Sequence, residues 1–423
     1  MNEIYRFLNC VEIPSVVKIR QTFNDQRADN PENTLLSLLE SKVENILPGV
    51  RIAITGGSRG IDKYVPLMKT IVGFLKSKGA EPFIVPAMGS HGGATAEGQT
   101  RILEMLGVTE ATTGAPVISS VEVKQIGTTE KNLPVYMDKR ACEADGIVLF
   151  NRIKPHTAFR GEYESGLLKM LAIGLAKPKG AQMTHCLRLE NMPQNIIDVG
   201  TIALDRLPIL FGVGTVENGY GGIAEIYVLQ RGEILPLEPS LLKKARAMMP
   251  RIYLDNIDAL VIQEIGKEIS GAGMDGNIVG RYASDAVTGG PKVTSMGVLD
   301  LTDHSDGNGN GMGYADYGAR RLIEKVDFVK TYMNTLTTTQ PRGTKVPMIL
   351  DTDKMVCQVC VRSCGIVNGD SVRMVLIKNT KAIDEIYMTS AAVREICDTS
   401  KARAVGEYFD LPFDVHDALT LFR

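Results

Sequence analysis

The chain has 423 residues, 44% of them apolar, more than the ~250–300 residues over which a single core grows, so two domains are expected. Lysine and arginine total 47 against 49 aspartate and glutamate, a net charge of −2, which excludes the basic field of a nucleic-acid or anionic-membrane binder. The first residues carry no leader pattern and no run reaches the ~18 apolar residues of a spanning helix, so the expectation is a soluble, cytoplasmic protein with neither nucleic acid nor membrane as partner.

In chain order, residues 1–49 read as an extended stretch followed by a helix from Pro31 to about Glu44. A βαβ pattern follows: RIAIT (51–55), the turn GGSRG (56–60), Asp62 as helix cap, and YVPLMKTIVGFLKSKG, helical in its apolar spacing and closed by Gly79. A second strand, 82–88, opens into GSHGGAT (89–95) and a helix begun by small polar residues. This succession puts both glycine loops at the carboxyl ends of neighbouring parallel strands, where open α/β sheets bind ligands. A β-rich excursion over 117–137 reads as a hairpin, and GIVLF (146–150) as a buried strand that delivers the segment 151–186 at the same edge.

Beyond it, PILFGVGTV and AEIYVLQRGEILPL read as strands, and LEPSLLKKARAMMP as a short amphipathic connector. The expected fold is α/β with two domains. An N-terminal Rossmann-like parallel-sheet domain spans 1–250, and a smaller C-terminal α/β domain spans 251–423. The active site is expected in the cleft between them, with the last helix packing back on the first domain.

The segment 151–186 holds two of the five histidines, His156 and His185. Between them GLLKMLAIGLA is apolar on every side except at Lys169, the pattern of a buried helix. Burial depresses an ammonium's pKa, so Lys169 either snorkels its charge to the surface, pairs with Glu162 or Glu164, or is neutral and available as a nucleophile. His91 lies among glycines that let it approach a ligand closely. Arg59, in the first glycine loop, offers fixed donors to a carboxylate or phosphate. Two other readings stand beside these. TGGSRGI (55–61) resembles a dinucleotide loop of an NAD(P)-dependent oxidoreductase, although no tyrosine is followed four residues later by lysine. Cys357-x2-Cys360-x3-Cys364 has the spacing of a metal site in a non-catalytic nucleotide- or metal-binding protein, although DKMVCQVCVRSCG also reads as a partly buried strand carrying reduced thiols.

The ordered set Arg59, His91, Pro155-His156, Ser165-Gly166, Lys169 and His185 resembles the lactate racemase family of nickel-pincer enzymes, most strongly over about residues 50–190. The sixteen residues from Lys169 to His185 match that family's spacing. The resemblance implies an isomerase, a racemase or epimerase of 2-hydroxy acids working by reversible hydride transfer through a 2-keto acid. It implies a nickel-pincer nucleotide, a pyridinium mononucleotide whose sulfur and carbon atoms hold nickel, attached covalently at Lys169. By the same match His185 and the Lys169 adduct hold the metal, His91 and His156 are the paired acid and base, and Arg59 orients the substrate carboxylate. Its partners would be the substrate and the proteins that make the cofactor and insert nickel. Gly56 stands where the family commonly has an acidic residue, and His156 is three residues farther from Lys169 than in lactate-specific members. Asp275-Gly276-Asn277 is followed by Ile278, Val279, Gly280 and Arg281 rather than by the aromatic, glutamine and lysine of those members. A different or larger 2-hydroxy acid is therefore expected, with Arg160 or Arg281 as extra contacts.

Overall fold

Short runs rich in β-branched residues build the sheet of the unit Asn24–Met249. The computed structural model, which describes residues 2–57, 60–185, 189–285, 287–338, 340–366 and 369–422, orders its strands Glu81–Pro86, Arg51–Gly56, Gly146–Arg152, Ile209–Glu217 and Ile223–Gln230. The first four are parallel and the last pair is antiparallel. After their exposed first residues, Arg51–Gly56 and Glu81–Pro86 are buried throughout, as strands covered on both faces must be. One face packs Ile52, Ile54 and Phe150 against Leu67 and Ile71 of the helix Tyr64–Ser77. The other packs Ala53 and Leu149 with Leu167, Leu171 and Ile196. The expected hairpin forms from Val123–Thr128 and Pro134–Asp138.

Two local expectations fail in this unit. Asp62 does not cap the helix after the first glycine loop. Lys63 occupies the cap with a left-handed φ of 53°, and the Asp62 carboxylate accepts the Ile223 amide instead. The strand read through AEIYVLQRGEILPL stops at Gln230, and what looked like a connector is the end of one 18-residue helix, Arg231–Met248. A reciprocal cap between Gln230 and Glu233 starts it, and buried Ile234, Leu241, Leu242 and Ala245 anchor it, despite Pro236 and Pro239 inside.

The second unit comprises Met1–Phe23 with Pro250–Arg423. Its sheet runs Met348–Leu350, Tyr317–Ala319, Lys292–Leu301, Asn256–Ile265, Met374–Ile377, Glu385–Thr389, Val16–Gln21, Ala402–Phe409. Residues 1–23 therefore leave the domain to which the sequence reading assigned them. Val16–Gln21 pairs antiparallel with both Glu385–Thr389 and Ala402–Phe409, burying Val16, Val17 and Ile19. The last helix, Ser390–Arg394, lies on the strands Met374–Ile377 and Glu385–Thr389 of its own unit. The cysteine stretch is a helix, Asp353–Ser363, capped by Thr352. Its spacing puts Cys357 and Cys360 on the buried face with Met355, Val356 and Val361, a period of helical type that the sequence reading took for a strand.

Candidate functional site

The strand Gly146–Arg152 ends beside the first glycine loop. Arg152 donates to the Gly60 carbonyl and pairs with Glu217, whose other oxygen takes the Asp62 amide. Arg59 lies outside the described residues. Within the loop the Gly57 amide donates to the Tyr64 hydroxyl at 2.7 Å. With Lys63 left-handed between loop and helix, this geometry departs from a dinucleotide loop that opens directly into a helix.

The backbone of Lys154 then bridges to Ser165 in both directions, at 2.9 and 3.2 Å. That bridge closes the loop carrying His156 against the start of the helical segment carrying Lys169. The His156 ring stacks on Phe159, centroids 4.1 Å apart, and the Lys169 ammonium lies 6.0 Å from the same Phe159 ring. Lys169 ends the helical turn Leu167–Lys169, and a π-helical stretch, Met170–Leu175, follows at once. Such wide turns concentrate at functional sites. After it comes the helix Lys177–His185, which begins at a left-handed Lys177, φ 58°.

These groups share one electrostatic environment. Burial and then Lys154 pull the Lys169 pKa down to about 8, with Glu164 partly offsetting them. Burial, reinforced by Lys169, takes His185 down to about 4. Burial, then Lys169, Lys154, His185 and Arg160, holds His156 well below the usual imidazole range. The structure thus brings together His156, Lys169 and His185, adds Lys154, and keeps both imidazoles neutral. The Ala158 amide donates to His156 Nδ1 at 3.1 Å, which puts the imidazole proton on Nε2. His156 in this geometry presents an N–H, and its basic nitrogen faces the backbone.

His91 is exposed, on a loop that leans against the same helical segment. The Gly89 amide donates to the Gly174 carbonyl at 3.1 Å, and a Cβ on Gly174 would stand 2.5 Å from the Ala87 carbonyl oxygen. Behind the loop, Gln99 donates to the Gly89 carbonyl at 2.7 Å. The fully buried Lys177 holds Gln99 at 3.1 Å, the Pro86 carbonyl at 2.6 Å and Asp138 at 3.2 Å.

Arg160 and Arg281 are engaged in holding backbone. Arg160 donates to the carbonyls of His156 and Phe159, and Arg281 to those of Tyr314, Val293 and Thr294 while pairing with Asp316. Glu164 is not the partner of Lys169. Its buried carboxylate takes the His156 amide at 2.6 Å, the Gly161 amide at 3.2 Å and the Arg246 guanidinium at 2.8 Å. Glu238, also buried, accepts the Leu168 amide at 3.0 Å, and burial drives its carboxyl up to about 7 against the Leu168 and Leu167 amides. Sequence reasoning missed Lys154, Lys177, Glu238 and Arg246, and read Glu164 as a partner for Lys169.

Gly166 leaves no room for a side chain, since a Cβ there would meet Glu238 Oε1 at 2.1 Å. Gly166→Ala is therefore expected to displace the Glu238 cap and cost about 1–3 kcal/mol, read as a lower urea midpoint with unchanged slope. Gly166→Ala/Glu238→Gly is expected to tolerate the methyl group better than Gly166→Ala does.

Among the described residues no group of three His, Cys, Asp or Glu is arranged to hold a metal ion. In the cysteine helix, burial raises Cys357 well above the usual thiol range and Cys360 to about 12, disfavouring the thiolates a metal requires. No helix is long and apolar enough to cross a membrane among the described residues.

Residues 45–196 match the family model described as the lactate racemase N-terminal domain. No curated protein matches. Among solved structures, a Thermotoga maritima protein aligns over 84% of this chain and 89% of its own at 15% identity, TM-score 0.49. The lactate racemase apoprotein of Thermoanaerobacterium thermosaccharolyticum aligns over 91% and 93% at 15% identity, TM-score 0.48.

Proposed function

We propose, from a chain that carries the lactate racemase N-terminal domain over residues 45–196, that this protein is a nickel-pincer nucleotide-dependent racemase or epimerase of a 2-hydroxy acid. The observation that carries the reading is the shared site of Lys169, His185 and His156, in which burial lowers all three pKa values. The donor set fits the cofactor. A lysine with a pKa near 8 is about one-tenth neutral amine at pH 7, enough to be acylated. An imidazole with a pKa near 4 is a free nitrogen ligand that need not lose a proton first. Lys169 would hold the nucleotide through an amide-type bond, and His185 would be the protein's nitrogen ligand to nickel, with the cofactor bringing the remaining donors. When bound, that group supplies the acceptor and donor for the C2 hydride.

The chain's own residues do the rest. Arg59 orients the substrate carboxylate through paired donors. His156 presents its Nε2 proton to the substrate oxygen, while His91 takes the hydroxyl proton from the other side. Giving that proton up requires His156 first to take one at Nδ1, and so to release the Ala158 amide; this leaves a neutral imidazole whose bare Nε2 accepts the hydroxyl proton in the opposite direction. Acylation removes the Lys169 charge, after which Lys154 is the neighbouring cation that favours an anionic substrate. Because Arg160 and Arg281 hold backbone carbonyls, Lys154 replaces them as the expected extra contact.

The test is the intact mass of the protein made alongside the cofactor-synthesis and nickel-insertion proteins, with nickel measured on the same sample. An adduct mapping to Lys169 with about one nickel per chain is expected, and an unmodified lysine under those conditions overturns the reading. A panel of 2-hydroxy acids and sugar acids run in deuterated water then identifies the substrate. Inversion with little deuterium at C2 is expected, whereas extensive incorporation would mean carbanion chemistry. The nicotinamide alternative predicts tight NAD binding without nickel.

A further inference from the structure

The helix Arg231–Met248 touches the catalytic segment at three points, each made by a different kind of group. Pro239 has no N–H to offer the carbonyl of Leu235 four residues earlier, and the Tyr163 hydroxyl donates to that carbonyl at 2.6 Å. One turn further on, Glu238 accepts the Leu168 amide and so caps the start of the segment that carries Lys169. Near the helix end, Arg246 reaches Glu164 at 2.8 Å.

Glu164 is the central member. Its side chain is fully buried, and two backbone amides of the His156 loop converge on it. Arg160, 3.8 Å away, places its guanidinium on the carbonyls of His156 and Phe159. One carboxylate thus fixes the amides at both ends of 156–161, and the imidazole stacks on Phe159 within that span. A buried charge is tolerated only where donors converge on it in this way.

We infer that Glu164, backed by Arg246 from the helix Arg231–Met248, is a positioning residue that holds the His156 loop in its working geometry. It touches neither substrate nor cofactor and acts through the His156 and Gly161 amides. This inference rests on the proposed racemase chemistry for its kinetic consequence, though not for the clamp itself.

Glu164→Gln tests it in the full-length protein. Glutamine keeps the length and one acceptor, but sets an NH2 group against backbone N–H and deprives Arg246 of its counter-charge. In protein whose Lys169 adduct is at wild-type level by mass, kcat is expected to fall about 10–100-fold, as for a catalytic group misplaced by about 1 Å, with KM within about threefold. The amide proton resonances of His156 and Gly161, which charge-assisted bonds hold downfield, are expected to move upfield. Should Glu164→Gln fail to fold, Arg246→Gln alters the half-exposed end of the pair and is expected to shift the same amides and lower kcat less, while Arg246→Lys restores most of the loss. A kcat within threefold of wild type in normally loaded protein overturns the inference, and so do unmoved amides. If the wild-type protein carries no adduct and inverts no hydroxy acid, the racemase reading falls, and the amide shifts alone decide the clamp.

Discussion

Lys169→Ala will leave a folded protein that carries no cofactor adduct and shows no stereochemical inversion, a loss of at least about 10³-fold. The side chain lies beside the Phe159 ring in surroundings that disfavour its charge, so removing it relieves an unfavourable ammonium and leaves stability nearly unchanged. That combination separates a nucleophile from a structural lysine, whose loss would show first in the unfolding curve. The same depressed pKa gives a second readout in the unloaded protein. The folded-state value of about 8 is below the ordinary ~10.4 of a lysine, so the reactive amine appears as pH rises through 8. Acylation of Lys169 by a small anhydride, followed by peptide mass mapping, is expected to reach half its maximum rate near pH 8, with exposed lysines lagging by about two pH units. A Lys169 that reacts with the bulk lysines would sink the assignment. Lys169→Arg is expected to be as inactive as the alanine variant, because a guanidinium keeps the charge but cannot form the amide-type link.

The second large effect is on stability. Lys177→Met is expected to cost about 3–5 kcal/mol, because it leaves Asp138 buried without its counter-charge. Burial outweighs the partner on both sides of this pair, raising Asp138 and lowering Lys177. The pair is therefore no gain over apolar residues of similar size, and Lys177→Met/Asp138→Leu should recover most of the lost stability. It will not recover activity. The ammonium also holds Gln99 and the Pro86 carbonyl, and Gln99 fixes the loop that carries His91. Urea unfolding of the single and double variants checks the first statement, and inversion rates of the loaded double variant check the second. A double variant as unstable as Lys177→Met would show that the pair contributes net stability after all.

What could be read from the sequence is what depends on neighbours in the chain. The alternation of strand, glycine loop and helix placed the sheet, and the all-round apolar run about Lys169 marked a buried helical segment with His185 one helix farther on. Glycines at 56, 57, 89 and 92 marked tight turns, and Gly57, Gly89 and Gly92 take positive φ. What escaped depends on groups far apart. Arg246 and Glu164 are 82 residues apart and Glu238 is 70 from Leu168, distances at which no local pattern couples them. Arg231–Met248 was misread as a strand running into a connector, and its two internal prolines do argue against a helix. The Tyr163 hydroxyl supplies the donor that Pro239 lacks, and such a rescue is invisible until the chain folds. Val16–Gln21 was assigned to the wrong unit for the same reason, since its partners lie at the far end of the sequence.

That strand also imposes an order of events during synthesis. The unit Asn24–Met249 is one continuous stretch, and all five of its sheet strands are made once residue 230 has emerged. Val16–Gln21 is translated before any of them and has no sheet to join. Lys18 must wait for Glu385, 367 residues later, roughly 20–70 s at ~5–20 residues per second. Until then its row of backbone donors and acceptors is an unpaired edge able to capture another chain. A ribosome-bound chain halted once Met249 has emerged from the exit tunnel is therefore expected to resist protease across 24–249 and to be cut within 16–21. Release of the completed chain should close that window.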